Sequence, residues 1–237
     1  MRSRYPSAST FASSFGPGPL TPAIKALVIA NVVAFVVSWF ARPVLLTLGL
    51  QPADVLTRFQ LWQPFTYMFL HSPVQISHLL LNLLILWMVG GDLERHWGGR
   101  RYFTYYLVCG VGAGLFVTVA GYLSHTSVPT IGASGAIYGL LLAYGIIFSE
   151  RMILFMLIFP MRARTLSWVL FAVAFVSAWG QSASGVSHIA HLGGMVVGYL
   201  YLKRIWRVGD FYRDLRWRIR RRRFRVAPPD DHDRWVN

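Results

Sequence analysis

The sequence predicts an all-α, polytopic membrane protein with six transmembrane helices and with both termini in the cytoplasm. The 237-residue chain is 55% hydrophobic and only 14% charged, with a mean hydropathy of +0.47. A typical soluble domain is about 25% charged. The net charge is nevertheless +14. Concentrated positive charge on an apolar chain is what the positive-inside rule produces in multi-pass membrane proteins. The composition therefore argues against a soluble globular protein and against a disordered one.

Six apolar segments are candidates for the membrane spans. A helix needs about 20 apolar residues, with a range of about 17–25, to cross the bilayer core. The segments that meet or approach this length are Ala23–Phe40, Ile76–Gly91, Tyr102–Leu123, Ile131–Ser149, Thr165–Gly180 and Val186–Leu202. A seventh apolar run, Met152–Pro160, is too short to span. We expect it to form an interfacial loop segment, and the alternative is that it joins the fifth helix.

The distribution of Lys and Arg predicts the orientation of the helices. With the N-terminus inside, the inward segments hold 21 of the 23 Lys and Arg residues, and the outward loops hold only Arg42 and Arg58. The reverse orientation would break the positive-inside rule.

The single cysteine, Cys109, lies in an apolar run and is expected to be a packing residue.

The chain divides into three predicted regions. Residues 1–22, rich in Ser, Pro and Gly, are expected to be a disordered tail, and residues 23–203 form the membrane domain. Residues 204–237 are an Arg-rich cytoplasmic tail that we expect to lie on anionic lipids rather than to bind nucleic acid. The long outward loop 41–75 carries aromatic residues suited to the membrane interface: Trp62, Phe65 and Tyr67.

Polar residues recur at one depth in this otherwise apolar domain. Because alternate helices run in opposite directions, the first turns of the second, fourth and sixth helices all lie near the outer face. Polar groups inside a membrane are costly and mark candidate functional sites. The five polar residues of this layer are His78, Asn82, Ser134, His188 and His191.

Ser134 and His188 are the predicted nucleophile and general base. Ser134 lies among small residues at a helix start, where free backbone N–H groups favour an oxyanion. A neutral imidazole at the same depth can take the serine proton. His191 is the competitor for this role, and His188 is favoured because it lies nearer the surface from which water enters.

His78 and Asn82 share one face of the second helix because they are four residues apart. Both side chains can donate hydrogen bonds, so together they can hold a developing oxyanion. His71, outside this helix, is expected to be interfacial. No Asp or Glu lies in the polar layer, which predicts a Ser-His dyad rather than a triad. No carboxylate or thiol accompanies the histidines, so neither a metal nor another cofactor is expected.

Three motifs together resemble the rhomboid intramembrane serine proteases over about residues 60–200. They are His78-Leu-Leu-Leu-Asn82, Gly132-Ala-Ser134-Gly135 and His188-Ile-Ala-His191-Leu-Gly-Gly194. The stretch from Gly90 through Tyr102 is similar to the family's segment after the second helix. Each motif is weak alone, but their order, spacing and depth are specific in combination.

The resemblance implies a rhomboid-like bundle that cleaves single-span membrane proteins near the outer face through an acyl-enzyme. The inward tails indicate a bacterial plasma membrane, with an organellar membrane as the alternative. It implies Ser134 as nucleophile, His188 as base, and His78, Asn82 and the Ser134 backbone N–H as oxyanion donors. It also implies that Tyr138 packs against the catalytic histidine. Gly194 and Gly198 match a pattern that lets the sixth helix approach the fourth.

The sequence departs from the family pattern at two positions. Gln63 follows Trp62 where many members have Arg, and Ser187 precedes His188 where many have Ala.

Two other functions are alternatives to the protease: a non-catalytic membrane binder, as in inactive members of the superfamily, and a transporter. The presence of both a serine and a histidine argues against the binder. The position of the polar layer, away from the midplane, argues against the transporter.

Overall fold

Six long helices make up most of the computed structural model, which describes residues 18–125, 129–155, 158–179 and 188–203. They are α1 (Pro22–Phe40), α2 (Ile76–Trp97), α3 (Gly99–Leu123), α4 (Ser134–Ile147), α5 (Ala163–Trp179) and α6 (residues 188–203). The predicted all-α class therefore matches a mostly helical structure. Each helix coincides with a predicted segment, and the largest difference is that α2 continues to Trp97.

Three of these helices, α1, α2 and α3, are long and apolar enough to cross a membrane. The helices α4 and α5 are apolar but shorter. The described residues up to Leu200 belong to one compact unit. Of the predicted disordered tail 1–22, residues 1–17 lie outside the described residues, as does the predicted Arg-rich tail 204–237. At the end of the first tail, Thr21 is hydrogen-bonded to Glu94 and Pro22 begins α1.

A buried acid of α2 caps the start of α1. The carboxylate of Glu94, only 5% exposed, accepts hydrogen bonds from the hydroxyl of Thr21 and from the backbone N–H groups of Ala23 (3.0 Å) and Ile24 (3.1 Å). The first N–H groups of a helix lack partners within the helix, and a negative charge there is favoured by the helix dipole. Glu94 thus joins the start of α1 to the end of α2.

The loop between α1 and α2 folds into short helices, Pro43–Leu48, Pro52–Thr57, Gln63–Thr66 and the 3₁₀ turn Tyr67–Phe69. Gln63 is fully buried: its Oε1 accepts from the Gln51 N–H at 2.8 Å, and its Nε2 donates to Gln60 Oε1 at 2.6 Å. The glutamine therefore makes loop contacts of its own at the position where the sequence departs from the family.

The three aromatic residues of this loop do not behave alike. Trp62 and Phe65 are exposed, as expected for the membrane interface. Tyr67 is buried instead, and its hydroxyl donates to the Gly110 carbonyl of α3 at 2.8 Å. The interpretation of Tyr67 as an interfacial residue is wrong, because its polar end has a hydrogen-bond partner inside the bundle.

The seventh apolar run forms an antiparallel β-hairpin of β1 (Met152–Phe155) and β2 (Phe159–Arg162). Pro160 lies in β2 opposite Leu154. A proline is tolerated in an edge strand but breaks the interior of a helix. The alternative in which this run extends the fifth helix is therefore wrong, since α5 begins only at Ala163.

Small residues bring α3, α4 and α6 into close contact. A Cβ at Gly194 would collide with the backbone carbonyl of Gly135, so α6 approaches α4 backbone to backbone. Cys109 is fully buried beside Gly139, as expected for a packing residue. Gly198 lies against Tyr105 and Cys109 of α3. Of the two glycines expected to join α6 to α4, only Gly194 does so, and Gly198 contacts α3.

Candidate active site

Ser134 is the first residue of α4 and follows a turn that only glycine fits. Gly132 has a φ of +125°, and its N–H donates to the Tyr67 carbonyl at 3.0 Å. A Cβ at Gly132 would lie 2.7 Å from Cε1 of His78. Positive φ and close approach both exclude larger residues. The turn therefore holds Ser134 at the helix start with the His78 ring packed beside the preceding backbone.

The hydroxyl of Ser134 forms a hydrogen bond with His191. Ser134 Oγ lies 2.8 Å from His191 Nε2. The ring of Tyr138, one turn further along α4, stacks on the His191 ring with centroids 4.0 Å apart and planes 5° apart. The stacking fixes the plane of the imidazole, and the Gly194–Gly135 contact fixes the distance between the two helices. Together they hold the serine and histidine side chains in contact.

The prediction of His188 as the partner of Ser134 is wrong in this geometry. The His188 ring is half-buried and lies edge-on to His191 with centroids 6.0 Å apart. Two residues three apart on a helix point about 60° away from each other. The rotation of α6 about its axis therefore brings only one of the two rings to Ser134.

The glycine pattern of α6 carried a signal for this choice. Gly194 and Gly198 lie three and seven residues after His191, so these three residues share one helix face. His188 lies off that face. Because glycines mark the side on which helices approach most closely, the packed face is the one that contains His191.

The imidazole of His191 is buried, at 5% exposure, and its second nitrogen is not paired. Nδ1 has no hydrogen-bond partner among the residues that the structure describes. If Ser134 donates its proton to Nε2, the ring carries its own proton on Nδ1. The orientation of this ring therefore comes from the stacked tyrosine, whereas in a triad a carboxylate supplies it.

The side chains of His78 and Asn82 meet a third polar residue, His71. Asn82 Nδ2 lies 2.9 Å from His71 Nε2, and the rings of His71 and His78 have centroids 5.2 Å apart. His71 is fully buried. The interpretation of His71 as an interfacial residue is therefore wrong. Because His71 lies in the loop before α2, helical spacing could not predict that it contacts Asn82.

Burial also affects the protonation of His71. It lowers the pKa of this imidazole from 6.5 to about 4, and the neighbouring His78 lowers it further while the Phe69 backbone acts in the opposite direction. Burial disfavours the charged form because the ion loses its hydration. His71 is therefore neutral at pH 7 and can accept a hydrogen bond at Nε2.

A small apolar cleft opens beside this site. It has a volume of about 70 Å³ and is lined by α2, α4, α5 and the hairpin, with Leu81, Ile85, Tyr138, Leu141 and Leu170 among its walls. Tyr138 is shared by the cleft and by the His191 stack. The cleft therefore ends one helical turn from Ser134. Within the described residues, no three His, Cys, Asp or Glu side chains are arranged to hold a metal.

Apolar helices whose ends carry a hydrogen-bonded serine–histidine pair define the class of protein to which this chain is similar. The chain belongs to the rhomboid family, since the model of the Rhomboid domain matches residues 58–208.

Curated relatives agree with this assignment. "Rhomboid protease GluP" of Bacillus subtilis is 28% identical over 158 residues, which cover 65% of this chain and 28% of that protein. "Rhomboid protease AarA" of Providencia stuartii is 30% identical over 153 residues, covering 59% of this chain and 54% of that protein. "Rhomboid protein 1, mitochondrial" of Saccharomyces cerevisiae is 30% identical over 137 residues, 55% of this chain and 38% of that protein. The chain spans less than two thirds of the length of these relatives.

Proposed function

We propose that this protein is an intramembrane serine endopeptidase in which Ser134 is the nucleophile and His191 is the general base. The observation that carries the proposal is the 2.8 Å contact between Ser134 Oγ and His191 Nε2. A serine becomes a nucleophile when a neighbouring base takes its proton. The relatives named as rhomboid proteases support the same reaction class.

The reaction begins when Ser134 Oγ attacks the carbonyl carbon of the scissile peptide bond and His191 Nε2 takes the hydroxyl proton. The tetrahedral intermediate then collapses, and the imidazolium gives that proton to the leaving amine. The remaining acyl-enzyme is an ester of Ser134. Water, deprotonated by the same imidazole, hydrolyses the ester and restores the serine hydroxyl. Tyr138, stacked on the ring, keeps it in line with Ser134 through both steps.

The oxyanion of the intermediate is held by donors that converge at the start of α4. The first N–H groups of a helix are unpaired within the helix, and the helix dipole favours negative charge there. His78 lies against the backbone of Gly132, immediately before Ser134. Asn82 supplies an amide one turn further along α2. Donors of this kind stabilise charge strongly because they are oriented before the reaction.

Substrates are transmembrane segments of other proteins that enter from the side. The apolar cleft between α2 and α5 leads from the surface of the bundle to Tyr138. A hydrogen-bonded helix shields its peptide bonds, so the substrate helix has to unwind locally before Ser134 can attack. We expect helix-breaking residues near the scissile bond of single-span substrates.

The membrane arrangement is part of the proposal. All six helices α1–α6 cross the bilayer of the bacterial plasma membrane, with both termini in the cytoplasm. The concentration of Lys and Arg in the segments that face the cytoplasm in this arrangement supports the orientation. The site at the start of α4 then faces the outer leaflet. Residues 204–237 form a separate tail that lies on anionic lipids.

Reconstituted cleavage tests the proposal. Purified wild type, Ser134→Ala, His191→Ala and His188→Ala proteins are each mixed in detergent with a single-span reporter. We expect cleavage by the wild type and by His188→Ala, and loss of cleavage by several orders of magnitude in the other two. Fluorophosphonate labelling of Ser134 reports the activated serine independently of any substrate.

His188→Ala is the matched control, since it removes a second imidazole of the same helix that lies edge-on to His191 and, in the part of the chain that the structure describes, forms no hydrogen bond with Ser134. Loss of cleavage in His188→Ala with retention in His191→Ala would assign the base to the other histidine. A wild type that neither cleaves the reporter nor reacts with the fluorophosphonate would contradict the enzyme and favour a non-catalytic membrane binder.

A further inference from the structure

His71 is a buried polar residue to which the proposed reaction assigns no step. It belongs to the loop that precedes α2, where side chains are ordinarily exposed. It is nevertheless fully buried and contacts both Asn82 and His78. Burying a polar ring without a hydrogen bond is costly. The contact with Asn82 offsets this cost and places His71 directly behind the proposed oxyanion donors.

The hydrogen bond between His71 and Asn82 has a direction. An amide nitrogen carries only hydrogens, so Asn82 Nδ2 donates and His71 Nε2 accepts. The imidazole therefore carries its proton on Nδ1. A doubly protonated ring has no acceptor, and the burial that keeps the His71 ring neutral also keeps Nε2 able to accept.

The direction matters because the two ends of an asparagine amide are nearly the same in shape and opposite in charge. With Oδ1 turned toward the reacting carbonyl, the amide would repel a forming oxyanion. With Nδ2 held by an acceptor, one N–H is engaged and the second remains for the oxyanion. An acceptor behind Asn82 thus selects the productive orientation of the amide.

We infer that His71 is a positioning residue that holds the Asn82 amide with its nitrogen oriented as an oxyanion donor. The inference rests on the proposed protease function. His71 has no described contact with Ser134 or His191 and so takes no part in proton transfer. It acts only through Asn82 and through the adjacent His78 ring. Oriented donors are effective because they need no rearrangement during the reaction.

The test is a double-mutant cycle between His71 and Asn82, read as kcat and KM for a single-span reporter in detergent. His71→Phe keeps an aromatic ring of similar shape and removes the acceptor. We expect kcat to fall about 10- to 100-fold, as for displacement of a reacting group, with KM little changed. In the Asn82→Ala background the same substitution should produce no further loss, because the amide it orients is already gone.

Two further variants separate positioning from loop stability. His71→Gln offers an amide oxygen as acceptor and should keep kcat within a few-fold of the wild type. Gln63→Met removes another fully buried polar side chain of the same loop, whose hydrogen bonds go to Gln51, Thr47 and Gln60 and not to Asn82. Its effect on activity should multiply with that of Asn82→Ala. If His71→Phe does not fold, His71→Gln carries the test, and a folded His71→Gln protein as impaired as Asn82→Ala overturns the inference.

The outcomes distinguish this inference from the function on which it rests. No Ser134-dependent cleavage by the wild type contradicts the protease. If cleavage depends on Ser134 but the losses of kcat in His71→Phe and Asn82→Ala multiply, only the positioning role is contradicted. Full activity in a folded His71→Phe protein contradicts the positioning role in the same way. Loss of kcat that vanishes in the Asn82→Ala background supports it.

Discussion

The two ends of α2 and α4 carry polar residues of opposite kinds. At the starts of these helices lie neutral groups: His78, Asn82 and Ser134. Toward their ends lies a charged cluster, in which Asp92 contacts Arg95 at 2.8 Å, Arg151 at 2.9 Å and the Tyr144 hydroxyl at 2.9 Å. Asp92 and His78 are about four turns, or roughly 20 Å, apart along α2.

The difference shows how each end manages the cost of polar groups in an apolar bundle. The charged end has partly exposed arginines, so its ions keep part of their hydration. At the other end the imidazoles of His71 and His191 are buried without a counterion among the described residues. Neutral groups cost less to bury than ions do. We therefore expect substitutions at the starts of α2 and α4 to affect catalysis and substitutions at their ends to affect stability.

Among substitutions that leave Ser134 and His191 in place, the largest effect is expected from Asn82→Ala. Removing one oxyanion donor typically lowers kcat by about 10²–10³-fold. Stability should change much less, since only the hydrogen bond to His71 is lost. Reporter cleavage and thermal unfolding of the same preparation measure both quantities.

Asn31→Ala is the matched control for that substitution. Asn31 is a buried asparagine of α1 whose Nδ2 donates to the Leu27 carbonyl at 2.7 Å within its own helix. We expect it to retain kcat per folded molecule. Equal losses of kcat in both asparagine variants would contradict the separation of catalysis from stability.

Gly194→Ala should break the contact between Ser134 and His191, because it moves α6 away from α4. The added methyl group would collide with the Gly135 carbonyl, which lies next to Ser134. A displacement of about 1 Å at reacting groups can cost about 100-fold in rate. We expect a loss of that order in kcat, together with a lower melting temperature and weaker fluorophosphonate labelling of Ser134.

Gly99→Ala is the matched control near the end of α2, away from Ser134. Its methyl group would meet only the Glu94 carboxylate, at 3.4 Å. Labelling of Ser134 should be unchanged in this variant. Unimpaired labelling in Gly194→Ala would show that the 2.8 Å contact does not depend on the close approach of α6 to α4.

The buried His71 should make stability depend on pH. Its pKa is about 4 in the folded protein and near 6.5 when the chain unfolds. On acidification the unfolded chain binds the proton first, so this contribution to stability is complete above pH 6.5 and is lost as the pH falls toward 4. Between pH 7.5 and pH 5 the wild type should lose about 2 kcal/mol more than His71→Gln does. Thermal unfolding at the two pH values measures this difference, and equal pH dependence would contradict a neutral, buried His71.

The smallest effects are expected from replacing single acidic residues, first the buried Glu94 and then the exposed Glu150. The Glu94 carboxylate accepts hydrogen bonds at the start of α1. Hydrogen bonds to charged groups contribute about 1.5–3 kcal/mol to stability. The glutamine of Glu94→Gln keeps one amide oxygen as an acceptor, so only part of this contribution is lost. We expect a loss of about 1–2 kcal/mol in unfolding free energy with kcat unchanged. Glu150→Gln, at an exposed acid paired with Arg162 and Arg164, should cost less than about 1 kcal/mol. A larger loss in Glu150→Gln would reverse this ranking.

The sequence was sufficient to predict the helices because apolar length is a local property of the chain. The segments predicted for α1 and α3 agree with the structure to within a few residues. The end of α2 was less predictable, because charged residues such as Asp92, Glu94 and Arg95 indicate a loop outside the membrane when their partners are unknown. These charges are accepted inside the helix because α1, α4 and the segment after α4 supply groups that pair with them.

The sequence by itself determined which kinds of side chain lie at one depth, since the lengths and directions of apolar helices set depth. It therefore indicated Ser134, His78 and Asn82 as candidate site residues and left two histidines as candidates for the proposed base. Only the tertiary structure decided between His188 and His191, because the choice depends on the rotation of α6, which its glycine contacts with α4 and α3 fix. The same holds for His71, whose place behind Asn82 depends on how a loop folds back against α2. Rotation and loop closure depend on packing between distant segments: the glycines of α6 mark its packed face, but no local pattern of residues shows which segment that face contacts.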